Sequence, residues 1–161
     1  MFLAPRDYPA IVRYDVLTGE FVYYEECIRE ARNQMEGTDE SSPFIGAVDS
    51  YKEELYIASI LSNLVLTFNM RTAEYAITYV GEESNKYRGM VADETYCWMI
   101  LSDNPMVVRW NRATGEVKKY SEFPNAFEAG TVPFKVIIDM GEVFYLIPAD
   151  ASHFCKLDKT S

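Results

Sequence analysis

Three aspartates with similar surroundings are the first candidates for recognition chemistry. Asp7, Asp103 and Asp150 each lie in a short polar loop between two apolar runs of the chain. Carboxylates next to aromatic and amide groups accept hydrogen bonds from sugar hydroxyls or peptide N–H groups. Alternatively, each aspartate bonds to the backbone of its own turn, a common role for aspartate in loops. The sequence leaves both roles open.

Groups suited to catalysis are few. His153 is the single histidine of the chain, and a lone histidine beside a loop is more often a surface residue than a catalytic base. Adjacent carboxylates such as Glu53 and Glu54 fall in connections, where water solvates them. The sequence has no nucleophile elbow, phosphate-binding glycine loop or zinc-protease motif. We therefore predict binding rather than catalysis, with no metal and no cofactor.

Composition and charge exclude several classes of partner. The 161 residues carry a formal net charge of −10, which opposes binding to nucleic acid or to an anionic membrane. Cys27, Cys97 and Cys155 are widely spaced and odd in number, which is typical of reduced thiols. No apolar run approaches the length of a membrane span, and the N-terminus lacks the pattern of a signal peptide. These features predict a cytoplasmic globular protein.

One phrase recurs along the chain. IVRYDVLTGE (11–20), VLTFNMRTAE (65–74) and VVRWNRATGE (107–116) share their polar turn residues, and FCKLDKTS (154–161) begins a fourth copy. The match extends upstream without a gap, since FLAPRDYPAIVRYD near the start of the chain aligns with YLIPADASHFCKLD near its end. This is the pattern of a repeated supersecondary unit.

Each repeat predicts four antiparallel strands, A to D. Runs rich in Val, Ile, Tyr, Phe and Trp alternate with Asp, Asn and Gly turns, and a period of roughly 40–50 residues is typical of a β-propeller blade. The alternative is a β-sandwich of hairpins. The predicted fold is all-β, with four sheets of three to four antiparallel strands in a partial or small propeller. The predicted units of a single domain over 1–161 are a partial blade 1–24, a blade 43–80, a blade 88–121 and a partial blade 133–161.

The segment between the first two blades departs from the repeat. Cys27, Ile28 and Met35 have helical spacing and predict one helical insertion near 25–36, within the connection 25–37. The apolar stripe of this helix would cover the neighbouring sheet. The alternative is a docking element for a partner protein.

The phrases VVRWNRATGEVKKYSEFP and IVRYDVLTGEFVYY resemble the repeats of bacterial propellers of the streptogramin-lyase-like and quinoprotein-like superfamily. The resemblance covers essentially the whole chain and implies a fold that hosts many functions. The lyase of that superfamily uses histidines and a glutamate with a divalent metal. Since His153 is the single histidine here, the resemblance does not extend to that chemistry within this chain.

The resemblance also implies where a ligand would bind. Propellers of this kind bind ligands at the end of the channel where the B–C and D–A connections meet. We therefore predict that a protein or a glycan binds there, and the alternative is a fragment of a larger propeller enzyme whose catalytic residues lie elsewhere. The predicted rim consists of Arg6, Asp7, Tyr8, Asp103, Asn104, Asp150, Lys86, Tyr87 and Arg88.

The strand pattern also predicts incomplete blades. The first unit reads B-C-D and the last reads A-B-C, so an open arc would expose an apolar sheet face at each end. At about 25 cal/mol per Å², leaving several hundred Å² of each face in water would cost on the order of 10 kcal/mol. We expect a homo-oligomer or a longer propeller that covers these faces. The alternative is a closed monomer of four sheets.

Overall fold

The computed structural model describes residues 1–35, 43–44 and 46–160, and nearly all of its regular structure is antiparallel sheet. The helix is α1 (Glu26–Asn33). The strands are β1 (Phe2–Leu3), β2 (Ile11–Tyr14), β3 (Phe21–Tyr24), β4 (Val48–Tyr51), β5 (Glu54–Ala58), β6 (Leu64–Asn69), β7 (Tyr75–Tyr79), β8 (Tyr87–Ala92), β9 (Tyr96–Leu101), β10 (Val107–Asn111), β11 (Val117–Tyr120), β12 (Phe134–Asp139), β13 (Val143–Pro148) and β14 (Cys155–Asp158).

The strands form four separate sheets in chain order. Sheet 1 contains β1 to β3, sheet 2 β4 to β7, sheet 3 β8 to β11 and sheet 4 β12 to β14, each as an antiparallel meander. This arrangement confirms the predicted all-β fold, with strand A missing from sheet 1 and strand D missing from sheet 4. The four sheets do not close on one another, so the alternative of a closed four-sheet monomer is wrong.

The repeated phrase forms the turn that follows the third strand of each repeat. Asp15, Asn69, Asn111 and Asp158 each accept a hydrogen bond, at 2.9 to 3.0 Å, from the backbone N–H two residues further on. This local bond stops the strand and starts the hairpin. It explains why the sequence keeps Asp or Asn at this position.

A left-handed residue completes three of these turns. Gly19 and Gly115 have φ values of 77° and 76°, and Ala73 takes the same role with φ 62°. Glycine adopts this conformation without strain, whereas a Cβ atom is crowded there. The turn of sheet 2 is therefore the strained one of the three.

Successive sheets pack face to face through residues at equivalent repeat positions. On the second strand of the repeat, an aromatic side chain packs towards the next sheet, as Phe2 does against Phe68 with ring centroids 6.1 Å apart. Tyr56 and Trp110 share the core between sheets 2 and 3. In each of these interfaces, an aromatic residue on the second strand of the repeat packs against the following sheet. The side chain that it meets there comes from the third strand of the repeat.

Helix α1 covers the outer part of sheet 2, as the sequence predicts. Cys27, Ile28 and Ala31 are buried against that sheet, and the Tyr75 hydroxyl donates to Glu30 Oε2 at 2.7 Å. The apolar stripe is thus used in packing. Residues 36 and 37 of the predicted insertion lie outside the described residues. No helix in the described ranges is long and apolar enough to cross a bilayer.

Candidate functional site

The predicted rim residues form small local groups. Arg6 Nε lies 3.9 Å from Asp7 Oδ2, and Lys86 Nζ lies 3.9 Å from Asp103 Oδ2, with all four side chains at least partly exposed. The second pair links the connection before sheet 3 to a loop within that sheet. No hydrogen bond or ion pair of the described residues joins Asp7, Asp103 and Asp150 to one another. A shared binding rim therefore remains a prediction.

Tyr8 and Asn104 are exposed, as a rim would require. The Tyr8 ring lies 5.8 Å from the ring of Tyr23, on the outer face of sheet 1. The Asn104 carbonyl accepts a hydrogen bond from the Met106 N–H at 2.8 Å, so its backbone shapes the loop and leaves the amide side chain outside.

Tyr87 is a core residue and not an exposed rim group. The sequence places it in a connection, but it is the first residue of β8, and its side chain points into the core between sheets 2 and 3. Its hydroxyl donates to the Val80 carbonyl at 2.6 Å, and burial raises the pKa of Tyr87 to about 12. Arg88 follows it on the same strand and is half-buried.

Asp150 anchors a neighbouring segment of backbone. Its Oδ2 accepts a hydrogen bond from the Val132 N–H at 3.1 Å, and a Cβ on Gly130 would lie 2.5 Å from the Asp150 Cβ. Ser152 Oγ accepts from the Glu128 N–H at 2.9 Å. The loop of sheet 4 therefore fixes the connection between sheets 3 and 4, residues 121–133, in place.

That connection roofs a groove of about 270 Å³ between sheets 3 and 4. The rings of Phe123 and Phe127 stack at 4.5 Å, and both lie within 6 Å of the buried Phe134 ring. We call this the aromatic groove. It is lined by Val107, Tyr120, Glu122, Phe123, Pro124, Ala126, Phe127, Leu146, His153, Phe154, Cys155, Lys156 and Leu157.

Two features of sheet 4 leave the groove open. Leu157 stands where sheets 2 and 3 have the larger Phe68 and Trp110. In sheet 3, Val117 on the outer strand β11 packs against the core between sheets 2 and 3. At the equivalent position of sheet 4, no strand of the described chain pairs with the outer edge of β14. A smaller side chain and a missing neighbour strand together leave a cavity.

Polar groups lie at the mouth of the groove. Glu122 contributes a negative charge, and His153 Nδ1 lies 2.7 Å from Ser152 Oγ. Burial raises the pKa of the Cys155 thiol, so this sulfur is poorly suited to act as a nucleophile. No cluster of potential metal ligands occurs in the part of the chain that the structure describes.

The sequence interpretation misses the aromatic groove. Phe123 and Phe127 lie outside the repeated units, so the repeat alignment gives them no role. Two signals in the sequence point to it. One is the pair of phenylalanines four residues apart in a long connection, and the other is a leucine at a position that is aromatic in the other copies.

Neither a protein-family model nor a curated protein sequence matches the chain. Solved structures do match its fold. Virginiamycin B lyase from Staphylococcus aureus matches with a TM-score of 0.69 and 14% identity, over 98% of this chain and 47% of that chain. A streptogramin B lyase structure matches with a TM-score of 0.72 and 10% identity, over 99% of this chain and 48% of that chain.

An extracellular domain from B. thetaiotaomicron, assigned to a one-component system, also matches. Its TM-score is 0.64 and its identity 16%, over 96% of this chain and 18% of that chain. The chain therefore spans less than half the length of each of these structures. At such identities the similarity shows the β-propeller fold alone, and in its fold the chain resembles the lyase.

Proposed function

We propose that this chain is a non-catalytic binding module that accepts an extended segment of a partner protein at the aromatic groove. One apolar side chain of that segment enters the groove, and its backbone runs along the outer edge of β14. The observation that carries the proposal is the groove itself, open beside a strand edge that no strand of the described chain covers.

Sheet 3 supplies the pattern for such binding. There β11 pairs with β10, the equivalent of β14, and sends Val117 into the core between sheets 2 and 3. A peptide added to β14 would repeat this arrangement. In strand addition, main-chain hydrogen bonds supply affinity, and alternate side chains in pockets supply specificity.

The size and lining of the groove favour a protein segment over a glycan. At about 270 Å³ it is smaller than the roughly 300–1,000 Å³ typical of drug-sized ligand sites, and it suits one large apolar side chain. A sugar ring brings several hydroxyls, which would lose hydrogen bonds to water against aromatic walls. Glu122 and His153 lie at the mouth and suit the peptide's polar backbone. Glycan binding through the exposed rim residues stays a separate prediction.

A peptide that copies the outer strand of sheet 3 tests the proposal. The labelled probe TGEVKKYS has the sequence of residues 114–121. Fluorescence anisotropy should show saturable binding, with a dissociation constant on the order of 100 μM for so small a contact. A scrambled peptide of equal charge controls for attraction to the acidic chain, and a peptide with proline at the position of Lys118 controls for strand pairing.

A substitution in the groove locates the binding. Leu157→Trp fills the groove, so it should abolish saturable binding of the probe, whereas Leu17→Trp in an exposed turn should leave binding unchanged. Equal binding of the scrambled peptide, or undiminished binding to Leu157→Trp, would show that the groove is not the site.

Part of a larger propeller enzyme is the second candidate. It is favoured by the match of nearly the whole chain to under half of each lyase. A catalytically inactive variant of the S. aureus lyase was solved with quinupristin, so this compound is the natural probe. Because the catalytic residues of such an enzyme would lie outside this chain, the test measures binding and not conversion. Isothermal titration calorimetry should show no binding of quinupristin to this chain, and saturable binding would favour the enzymatic candidate.

A further inference from the structure

The two outward faces of the arc point to a contact between copies of this chain. We infer that the outer face of sheet 1 in one copy packs against the outer face of sheet 4 in a second copy, and that two such junctions close a dimer. The leading face consists of Leu3, Tyr8, Val12, Tyr14, Phe21 and Tyr23. The trailing face consists of Val136, Ile138, Val143, Tyr145 and Ile147.

The leading face is an exposed aromatic patch. Leu3, Tyr8, Phe21 and Tyr23 are 43% to 54% exposed, although each has a large apolar surface. The rings of Tyr14 and Phe21 lie 4.7 Å apart, and those of Phe21 and Tyr23 lie 6.3 Å apart, so the patch is continuous. Contiguous apolar patches of this kind on soluble proteins mark interaction sites.

The trailing face is aliphatic with one aromatic ring, and the exposed Lys156, which pairs with Tyr145, lies on the same face. Val136, Ile138 and Tyr145 are 40% or 41% exposed. The strand register pairs Ile138 with Tyr145, and Val136 with Ile147, so these four side chains lie on one face. The opposite face of sheet 4 is the one buried against sheet 3.

The internal packing rule of the arc makes the two faces complementary. In sheets 1 to 3, the second-strand aromatic packs towards the third-strand side chain of the next sheet. Tyr145 is the second-strand aromatic of sheet 4, and Tyr14 is the third-strand residue of sheet 1. Placing sheet 1 of a second copy after sheet 4 brings Tyr145 against Tyr14, which repeats the contact between Phe2 and Phe68.

The buried area decides between one junction and two. If an aromatic side chain has roughly 150–250 Å² of surface, the exposed parts of the two faces amount to about 600 Å² per junction. One junction falls below the roughly 1,200 Å² of a stable interface, whereas two junctions reach it. A closed dimer is therefore favoured over an open chain of single contacts.

The curvature of the arc is compatible with closure by two copies. The chain superposes on 47% of the S. aureus lyase with a TM-score of 0.69, so two copies would match 2 × 47% = 94% of that chain's length. A head-to-tail contact closes when the rotation per copy is a whole fraction of a turn. The aromatic groove lies on the other side of sheet 4 and stays accessible in such a dimer.

Sedimentation equilibrium tests the inference. The chain has a mass of 18.5 kDa, so the dimer should have 2 × 18.5 = 37 kDa at tens of micromolar protein. Tyr145→Lys and Tyr14→Glu should each give monomer, because either substitution damages both junctions. Leu17→Lys, at a turn residue outside both faces, is the matched control and should remain dimeric.

Mixing the two charged variants tests the head-to-tail geometry. In a mixed dimer, one junction pairs the introduced lysine of the Tyr145→Lys copy with the introduced glutamate of the Tyr14→Glu copy, and the other junction is wild type. An equimolar mixture should therefore recover the 37 kDa species. Circular dichroism confirms folding, and Phe21→Glu, at a site 54% exposed, replaces Tyr14→Glu if that variant unfolds. A wild-type monomer at 100 μM, a mass that grows with concentration beyond two copies, or variants that stay dimeric would each overturn the inference.

Discussion

The core between sheets 2 and 3 and the core between sheets 3 and 4 are both closely packed at their inner strands, but they differ at their outer strands. Tyr56, Val108 and Trp110 seal the first from the inner to the outer strands. The second is equally close on its inner side, where the Trp98 and Phe144 rings lie 4.9 Å apart, but it opens at Leu157 into the aromatic groove. The smaller side chain of Leu157, beside an edge of β14 that no strand of the described residues covers, thus leaves a groove where sheets 2 and 3 form a sealed core.

The largest expected effect comes from shortening the side chain at the two equivalent outer positions, Trp110 and Leu157. Trp110→Ala should lower the free energy of unfolding by about 3–5 kcal/mol, because it leaves a cavity in a sealed core. Leu157→Ala should cost only about 1 kcal/mol, because that side chain is half-buried beside an existing groove. Urea denaturation of both variants measures the difference. Equal losses would mean that the two interfaces are packed alike.

A substitution at Asp93 examines the closed part of the second interface. The Asp93 carboxylate accepts hydrogen bonds from the Thr95 and Tyr96 N–H groups at 2.9 and 2.8 Å, and from Trp98 Nε1 at 2.9 Å. Asp93→Asn keeps one acceptor oxygen and should lower the free energy of unfolding by about 1–2 kcal/mol at neutral pH. Chemical denaturation with tryptophan fluorescence reports the loss.

The same substitution has a defined pH dependence. Burial works against the charged form of Asp93, but the hydrogen bonds from Tyr96, Thr95 and Trp98 outweigh it and lower the pKa below its ordinary value of 3.8. A lowered folded-state pKa stabilises the fold above the unfolded value and loses that contribution as pH falls through the folded value. The gap in stability between wild type and Asp93→Asn should therefore narrow below about pH 4. A gap independent of pH would assign the loss to packing.

Filling the groove should make the two interfaces more alike. Leu157→Trp places in sheet 4 the side chain that sheet 3 has at the equivalent position, Trp110. It should raise the free energy of unfolding by about 1 kcal/mol through added apolar burial. Leu17→Trp, in an exposed turn, should change stability little. Thermal denaturation of both variants tests this. Destabilisation by Leu157→Trp would indicate that the groove is narrower than the structure shows.

The smallest effect concerns the hairpin turns of the two complete sheets. Ala73→Gly relieves a left-handed alanine but removes a methyl group that packs on the core, so it should stabilise by about 0.5 kcal/mol. Gly115→Ala introduces the same strain and should destabilise by about 1 kcal/mol. The denaturant midpoints of the Ala73→Gly and Gly115→Ala variants measure these changes in stability. Stabilisation by both substitutions would contradict a strained backbone at Ala73.

The sequence predicts the strands well because local turn chemistry defines them. The apolar runs 54–58, 64–69 and 96–101 predict strands that agree with the structure to the residue, since polar residues such as Ser59, Asn63 and Ser102 flank the runs. The turn residues do not show which side chains near a strand end point into the core. The sequence assigns Tyr87 to a connection, whereas β8 begins with it and the strand alternation buries its ring.

The aromatic groove could not be located from the repeat alone. Its roof depends on how the connection with Phe123 and Phe127 folds over two sheets, and Asp150 holds that connection through a bond between distant residues. Such contacts arise from tertiary packing and leave no periodic signal in the sequence. The leucine at position 157 shows only that less volume is filled there.

Thiol labelling tests the difference between the two interfaces most directly. Cys155 lines the groove, whereas Cys97 is fully buried between sheets 2 and 3, where burial raises its pKa to about 12. Two single-cysteine proteins, Cys27→Ser with Cys97→Ser and Cys27→Ser with Cys155→Ser, are treated with iodoacetamide under native conditions. We predict that Cys155 reacts on the order of 100 times faster than Cys97. Equal rates, or faster labelling of Cys97, would contradict an open groove between sheets 3 and 4.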